Sequence, residues 1–406
     1  MAKQGAKAAV PRLRFPEFWT MAAWREVPLE RVAQRTSTKN SDGHVTRVLT
    51  NSAEFGVLDQ RDYFDKDIAT AGKVDGYYVV GKGDYVYNPR TSAIAPVGPI
   101  SRNNVGEGVM SPLYTVFRFS EDKTDFYEHY FRSSRWHSYL RSAASTGARH
   151  DRMSITTSAF MRMPVPVPSR EEQQKIADCL TSLGEVIAAQ GRKVEALKAH
   201  KRGLMQQLFP REGETRPRLR FPEFRNAPEW KRTTLNRVCD MQAGKFVSAS
   251  EISDEPGEGT YSCYGGNGLR GFTKSFTHSG VFPLIGRQGA LCGNVQFAKG
   301  EFHATEHALV ATPQAGVNVT WLYYTLGKLE LNKYATGQAQ PGLSVDLLKS
   351  VECSVPATET EQQRIADCLS SLDTQITAET NHLAALKTHK QGLMQQLFPV
   401  AESVAA

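Results

Sequence analysis

Two long stretches of this chain repeat apolar residues at alternating spacings of four and three. The first runs Ile176, Leu180, Leu183, Ile187, Val194, Leu197, Leu204 and Leu208; the second runs Ile365, Leu369, Leu372, Ile376, Leu383, Leu386, Leu393 and Leu397. A seam of this period, sustained over several heptads, predicts two coiled-coil helices, and each is the obvious partner for the other. Ser169 can cap the first, with Glu171 and Glu172 in the turn where the helix dipole favours carboxylates. In the second, Thr358 or Thr360 can cap and Glu359 and Glu361 stand beside them; Pro210 and Pro399 end the two helices. An antiparallel pair of about 33 residues would reach roughly 50 Å at 1.5 Å per residue.

The seam is interrupted at equivalent places by Gln190 and Lys201, and by Glu379 and Lys390. A register that sets Lys201 opposite Glu379 also sets Gln190 opposite Lys390. Alternatively, each lysine reaches out to solvent along its own stem. Outside the helices the pattern changes. Residues 45–51, 76–80, 83–87 and 113–119, then 260–264, 280–285, 294–297 and 308–311, read as short strands punctuated by Gly, Asn and Pro. Helical stretches follow at 125–142 and 319–334, so an α+β module is expected twice.

The duplication is literal. Pro11 to Phe18 returns letter for letter at Pro217 to Phe224, and residues 172–210 return at 361–399 with 25 identities in 39 positions. The second module is 17 residues shorter between its matched ends, and residues 51–102 have no recognisable counterpart in 250–299. Constant ends around divergent middles imply shared architecture with different specificity. The pseudo-twofold symmetry suits a target with two related halves or a pair of identical partners.

With 406 residues, 40% hydrophobic and 22% charged, the chain has the size and composition of a globular protein of two or three domains. No apolar run approaches the roughly 18 to 20 residues that span a bilayer, and Met1 to Val10 lacks the apolar core of a secretory signal, so a cytoplasmic location and no membrane contact are expected. Cys179, Cys239, Cys263, Cys292, Cys353 and Cys368 form no CxxC pair, and reduced thiols are expected. The formal charge of +7 has the sign for a polyanionic partner.

Basic and aromatic residues interleave at Arg132, Arg135, Trp136, Tyr139 and Arg141, and a small-residue loop with Gly147, Arg149 and Arg152 follows. Arginine forks onto guanine edges and grips phosphates. The second module's counterpart, residues 336–342, carries Gln338 and Gln340 instead, and glutamine favours adenine edges. Further candidate DNA contacts are Arg90 and Arg102 in the first module and Arg270, Lys274, Arg287, Gln288 and Lys333 in the second. The same residues also fit a solvated helix and an ordinary loop.

Catalytic patterns fail one by one. Residues 266–271 match the dinucleotide fingerprint formally, but no long helix or distant carboxylate follows, so a turn is expected. His303 and His307 stand four apart without the HExxH motif, in a strand-like setting. Tyr87-Asn88-Pro89-Arg90 lacks the second proline of the amino-methyltransferase Asn-Pro-Pro-Tyr loop, and there is no Walker loop. A stand-alone nuclease or methyltransferase therefore lacks its catalytic residues; a duplicated adaptor for protein or RNA would share the repeats and the coiled coil.

With these features side by side, the chain resembles the specificity subunit of type I restriction-modification enzymes along nearly its whole length. The resemblance rests on the repeated Glu-Gln-Gln-(Lys/Arg)-Ile-Ala-Asp-Cys-Leu and Gly-Leu-Met-Gln-Gln-Leu-Phe-Pro segments of the helices. It rests also on residues 83–90, 111–114 and 147–149 in the first module and 264–268 and 304–308 in the second. It implies two target recognition domains, 1–168 and 229–356, each followed by a conserved spacer helix, 169–210 and 357–399, with a linker at 211–228 and a tail at 400–406. It further implies that each domain reads one half of an asymmetric bipartite site in double-stranded DNA, while the paired helices set the spacing. Two modification subunits using S-adenosylmethionine would dock on those helices, and restriction subunits using ATP and magnesium would join them. This chain would bind no cofactor and no metal and would not itself be an enzyme. One departure is that Gly184 and Gly191 stand where the second helix has Asp373 and Thr380, at roughly 1 kcal/mol each relative to alanine.

Overall fold

The computed structural model describes residues 8–63, 74–121, 125–144, 151–337 and 341–399. It divides into two compact units, one made of residues 1–189 with 383–406 and the other of residues 190–382. The boundaries fall inside both long helices, so each unit contains one module, half of the first helix and half of the second.

In the first unit a three-stranded antiparallel sheet joins Ala8–Ala9, Trp24–Pro28 and Pro164–Val167. The proline-rich run before the first helix, Pro164–Val167, is thus a strand. Proline survives there because the strand lies at the edge of the sheet, where a missing N–H costs no ladder bond. A second antiparallel sheet orders Ala33–Thr36, Thr115–Phe119, Tyr85–Tyr87 and Ile100–Arg102. Leu49–Ser52 pairs with Gly56–Asp59, and Tyr78–Val80 with Gly108–Met110. The helical stretch expected at 125–142 is two helices, Asp125–Phe131 and His137–Ala143. Ser133 separates them: its Oγ donates to the Tyr130 carbonyl at 2.6 Å and accepts from the Arg135 N–H at 3.3 Å, the local competition that serine offers a helix.

The second unit is built on a six-stranded sheet, ordered Cys239–Ala243, Ala308–Pro313, His278–Gly286, Val295–Ala304, Tyr261–Gly265 and Gly268–Thr273. Its pairs are antiparallel except Tyr261–Gly265 beside Val295–Ala304. Lys231–Thr234 pairs with Glu352–Val355, repeating the strand pair that precedes the first helix. The stretch expected to be helical to 334 stops at Lys328. Glu330 takes a left-handed φ of 50°, and a short 3-10 turn, Leu331–Tyr334, follows.

The long helices run Arg170–Leu208 and Glu359–Leu397, each 39 residues and about 58 Å at the α-helical rise. Ser169 Oγ accepts from the Glu172 N–H at 3.2 Å and Thr358 Oγ1 from the Glu361 N–H at 3.3 Å, which decides the cap between Thr358 and Thr360. Gly184 and Gly191 leave the first helix unbroken.

Within each unit the helix halves run antiparallel, and their ends enter the module cores. In the first unit Ile176 and Leu180 join Leu397 and Phe398, whose ring meets Phe126 at 5.4 Å and Tyr130 at 5.6 Å. In the second, Leu208 and Phe209 join Ile365, Leu369, Trp230 and Trp321. Toward the middle, Leu183, Ile187, Leu197, Leu204, Leu372, Ile376, Leu386 and Leu393 are only half-buried, as expected of a two-stranded seam.

The register differs from the one that sets Lys201 opposite Glu379. Lys201 Nζ meets Asp373 at 2.6 Å, while Gln190 Nε2 donates to Glu379 at 2.6 Å and Lys390 lies against Gly184. The helices have slipped by about one heptad relative to that pairing. A slip of one heptad keeps every apolar residue in the seam, so polar matching cannot decide between the alternatives; docking of Leu208 and Leu397 into the aromatic cores does.

The literal repeat at 11–18 and 217–224 also finds its reason. Arg14 donates from Nε and Nη2 to the two carboxylate oxygens of Glu172, both at 2.7 Å, and from Nη1 to the Met21 carbonyl at 2.8 Å. Arg220 does the same to Glu361, both at 2.7 Å, and caps the Ala227 carbonyl at 2.7 Å. Both glutamates are 1% exposed and sit in the first turn of a long helix. The residues given to a linker therefore fasten the start of the second long helix.

Candidate nucleic-acid interface

The divergent middles, which cannot be aligned by sequence, share one local geometry. In the first module Met153 N–H donates to the Pro89 carbonyl at 2.8 Å, Thr91 N–H to the Asp151 carbonyl at 2.9 Å, and Arg90 bridges Arg152. In the second, Leu343 N–H donates to the Arg287 carbonyl at 2.9 Å, Gly289 N–H to the Pro341 carbonyl at 2.9 Å, and Gln288 bridges Gly342. The loop after a central strand is thus tied to the loop before a short helix in both modules. Arg90 of one corresponds to Gln288 of the other.

The surrounding motifs supply the scaffold. Tyr87 is buried, stacks on Phe160 at 4.7 Å and donates its hydroxyl to the Val97 carbonyl at 3.0 Å; burial pushes its phenol well above the usual range. Asn88 spends its side-chain amide on the Asn51 carbonyl at 2.9 Å and accepts from the Arg90 N–H at 3.0 Å, which leaves Arg90 exposed. Asp84, fully buried, accepts from Gly81 N–H at 2.7 Å and pairs with Arg118 at 2.5 Å. Arg152 is held near Asp151 at 3.9 Å, and its Nε is buried without a hydrogen-bond partner.

In the second module the corresponding loops border a groove of about 610 Å³ lined by Gly265 to Arg270, Gln288, Gly289, His307, Pro341 and Gly342. Glycine is required at its wall: a Cβ on Gly286 would lie 1.9 Å from the Gly266 carbonyl oxygen. The fingerprint-like glycines are indeed a hairpin turn, with Gly265 opposite Gly268. Arg270 and Gln288 are exposed on the groove, and Lys274 is exposed just past the same strand. His307, weighed in the sequence only as half of a metal pair with His303, lines the groove too. Its Nδ1 is buried without a partner while Nε2 faces Glu306 at 3.2 Å. His303, by contrast, is buried and bonded to the Lys245 carbonyl at 3.1 Å. Among the described residues no cluster of His, Cys, Asp and Glu could hold a metal ion.

Other candidates lie elsewhere. Arg102 pairs with Asp125 and approaches Glu128 at 4.0 Å, and Arg132 pairs with Glu128 at 2.7 Å. Arg135 donates to the Gln395 carbonyl of the second long helix, while Trp136 and Leu140 enter the core. Arg141 is exposed on its helix. Lys333 pairs with Glu212 at 3.2 Å beside another cavity. Arg149, Gln338 and Gln340 lie outside the described residues. No helix among the described residues is long and apolar enough to cross a membrane.

Comparison with known proteins agrees with this architecture. The model of the type I restriction modification DNA specificity domain matches residues 63–199 and 228–388. The EcoprrI type I restriction enzyme specificity subunit of Escherichia coli is 47% identical over 147 residues, a match that spans 36% of this chain and 36% of that subunit. The MjaVIII specificity subunit of Methanocaldococcus jannaschii is 24% identical over 289 residues, 64% of this chain and 66% of its own length. A solved type I restriction-modification S subunit from M. genitalium shares the fold with a TM-score of 0.60 at 14% identity, covering 96% of this chain and 99% of that one. Duplicated modules on paired helices and a family match in both halves lead to one conclusion: the chain belongs to the type I restriction-modification DNA specificity family.

Proposed function

We propose that this chain selects the DNA site for a type I restriction-modification complex, each module reading one half of a bipartite asymmetric sequence. The paired helices set the spacing between half-sites and dock two modification subunits. Adenine methylation, DNA translocation and cleavage, with S-adenosylmethionine, ATP and magnesium, belong to modification and restriction subunits, and this chain contributes recognition alone. One observation carries the reading: the same two-loop tie occurs in both modules but presents Arg90 and Arg152 in one and Gln288 and Gly342 in the other. Equivalent frames with unlike side chains are what a reader of two unlike half-sites requires, since arginine prefers guanine and glutamine adenine.

Methylation mapping in cells carrying the complete system tests this. Replacing Arg90 and Arg152 together by alanine should relax recognition of one half-site, by roughly 1–3 kcal/mol of discrimination for each bidentate base pairing removed, and leave the other half unchanged. Gln288→Ala should do the converse. Equal loss at both halves in either variant would refute the assignment.

A further inference from the structure

The internal repeat places Gly184 where the second helix has Asp373, and Lys390 where the first has Lys201. The two equivalent sites have opposite electrostatic outcomes. In the second unit Lys201 Nζ binds Asp373 Oδ1 at 2.6 Å, Tyr324 donates its hydroxyl to Oδ2 at 2.7 Å, and the ammonium lies 5.1 Å from the Tyr324 ring. That charge is neutralised within the chain. In the first unit the carboxylate is missing, and the half-buried Lys390 ammonium lies 2.8 Å from where a Cβ of residue 184 would stand. Glu128, the carboxylate that acts on Lys390, is already engaged by Arg132 at 2.7 Å and by Asn104 at 3.3 Å. Burial and the neighbouring Arg132 both oppose the charged form of Lys390. A cation left this way in a partly desolvated position favours an anion from outside.

The space for one is present. Lys390 lines a recess of about 830 Å³ together with Arg132, Arg135 and Lys387, and Phe55 and Ile94, 65% and 67% exposed, line it as well. Such a volume corresponds to a linear size of roughly 9 Å, whereas the major groove of DNA alone is about 12 Å wide, so a duplex cannot enter. A carboxylate side chain on a protein segment can, and flanking apolar residues would cover Phe55 and Ile94. We infer that this recess is a carboxylate-binding site for a modification subunit, in which an Asp or Glu of the partner takes the place that Asp373 fills in the second unit. The inference rests on the docking role proposed above. It adds that the two docking positions are chemically unequal, one needing an acidic residue from the partner and the other supplying its own.

Titration calorimetry of the full chain with the modification subunit tests it. The unmodified chain should take up two subunits. Lys390→Met should weaken one of the two at least about tenfold and leave the other unchanged, the effect of losing one close charge pair. Gly184→Asp should cause the same loss by supplying the carboxylate internally, while Gly184→Ala, whose Cβ only displaces the flexible end of Lys390 from its 2.8 Å approach, should lose clearly less. Gly184→Asp should also melt above Gly184→Ala despite the poorer helix propensity of aspartate. Unchanged binding in Lys390→Met and Gly184→Asp, equal loss in Gly184→Ala, or no melting advantage for the aspartate would overturn the inference. So would an effect of Lys390→Met on DNA affinity alone, with a salt slope reduced by about one, which would mark a phosphate contact instead. If the unmodified chain takes up no modification subunit, the docking role itself fails and the recess proposal falls with it.

Discussion

Removing the guanidinium of Arg220 should destabilise the second unit more than its one ion pair suggests. The side chains of Arg220 and Glu361 are 7% and 1% exposed, and the pairing is a bidentate fork at 2.7 Å on both arms. The hydrogen bonds that Arg220 donates to Glu361 raise its pKa further, so the guanidinium stays charged throughout. In Arg220→Met the carboxylate stays buried with the Trp230 indole N–H at 3.1 Å and the positive end of the helix as its remaining support. Breaking a buried pair on one side costs about 3–5 kcal/mol, and the surviving partners place this case near the lower end, about 3 kcal/mol. For a unit of this size each kcal/mol lowers Tm by about 2–4 °C, so a drop of roughly 6–12 °C is expected. Differential scanning calorimetry of Arg220→Met, Glu361→Leu and the double variant gives the cycle. The double variant should recover most of the loss, because an apolar pair of similar volume replaces two desolvated charges. A single variant that costs less than about 1 kcal/mol, or a double variant no better than the sum of the singles, would refute the reasoning.

Other outcomes follow from the same physics. Burial holds the His129 imidazole down to about 4 from 6.5, with Lys390 and Arg132 adding to it. The unfolded chain therefore binds a proton that the folded one refuses, and stability should fall by roughly 2–3 kcal/mol as pH drops from about 6.5 to 4. Melting curves of His129→Gln should be flatter across that window, and an undiminished slope would exclude this histidine as the cause. Burial pushes the thiols of Cys239 and Cys353 up to about 12, so both should resist alkylation at pH 8 until the unit unfolds, as mass spectrometry of labelled peptides would show. Labelling of either at the rate of a free thiol would contradict their placement in the core.

Much of the architecture is legible in the order of residues. Heptad spacing marks both long helices and Ser169 marks the first N-cap, because helix period and capping are local properties written in neighbouring residues. Residues 266–271 are excluded as a dinucleotide motif on similar grounds, and they form a hairpin turn and the start of its returning strand. The interleaved segment at Arg132 to Arg141 is harder: its basic and aromatic letters fit a DNA-facing helix as well as a core-facing one. Only packing shows Trp136 in the core and Arg135 on the second long helix. His307 is marked in sequence by its spacing from His303 and by the 304–308 motif, but neither says that it lines a groove while His303 is buried; packing decides that.

The sequence by itself determined that the chain is two copies of a module and a helix, and it determined the family, because repeats and motifs are properties of order along the chain. Only the tertiary structure decided which residues face each other. In a self-duplicated chain every heptad slip of an antiparallel pair preserves the same pseudo-twofold symmetry and buries the same apolar stripe, so the one-dimensional pattern is degenerate. The degeneracy is lifted by long-range packing, where Leu208 and Phe209 enter one aromatic core and Leu397 and Phe398 the other. That choice of register sets Lys201 on Asp373 and leaves Lys390 against a glycine.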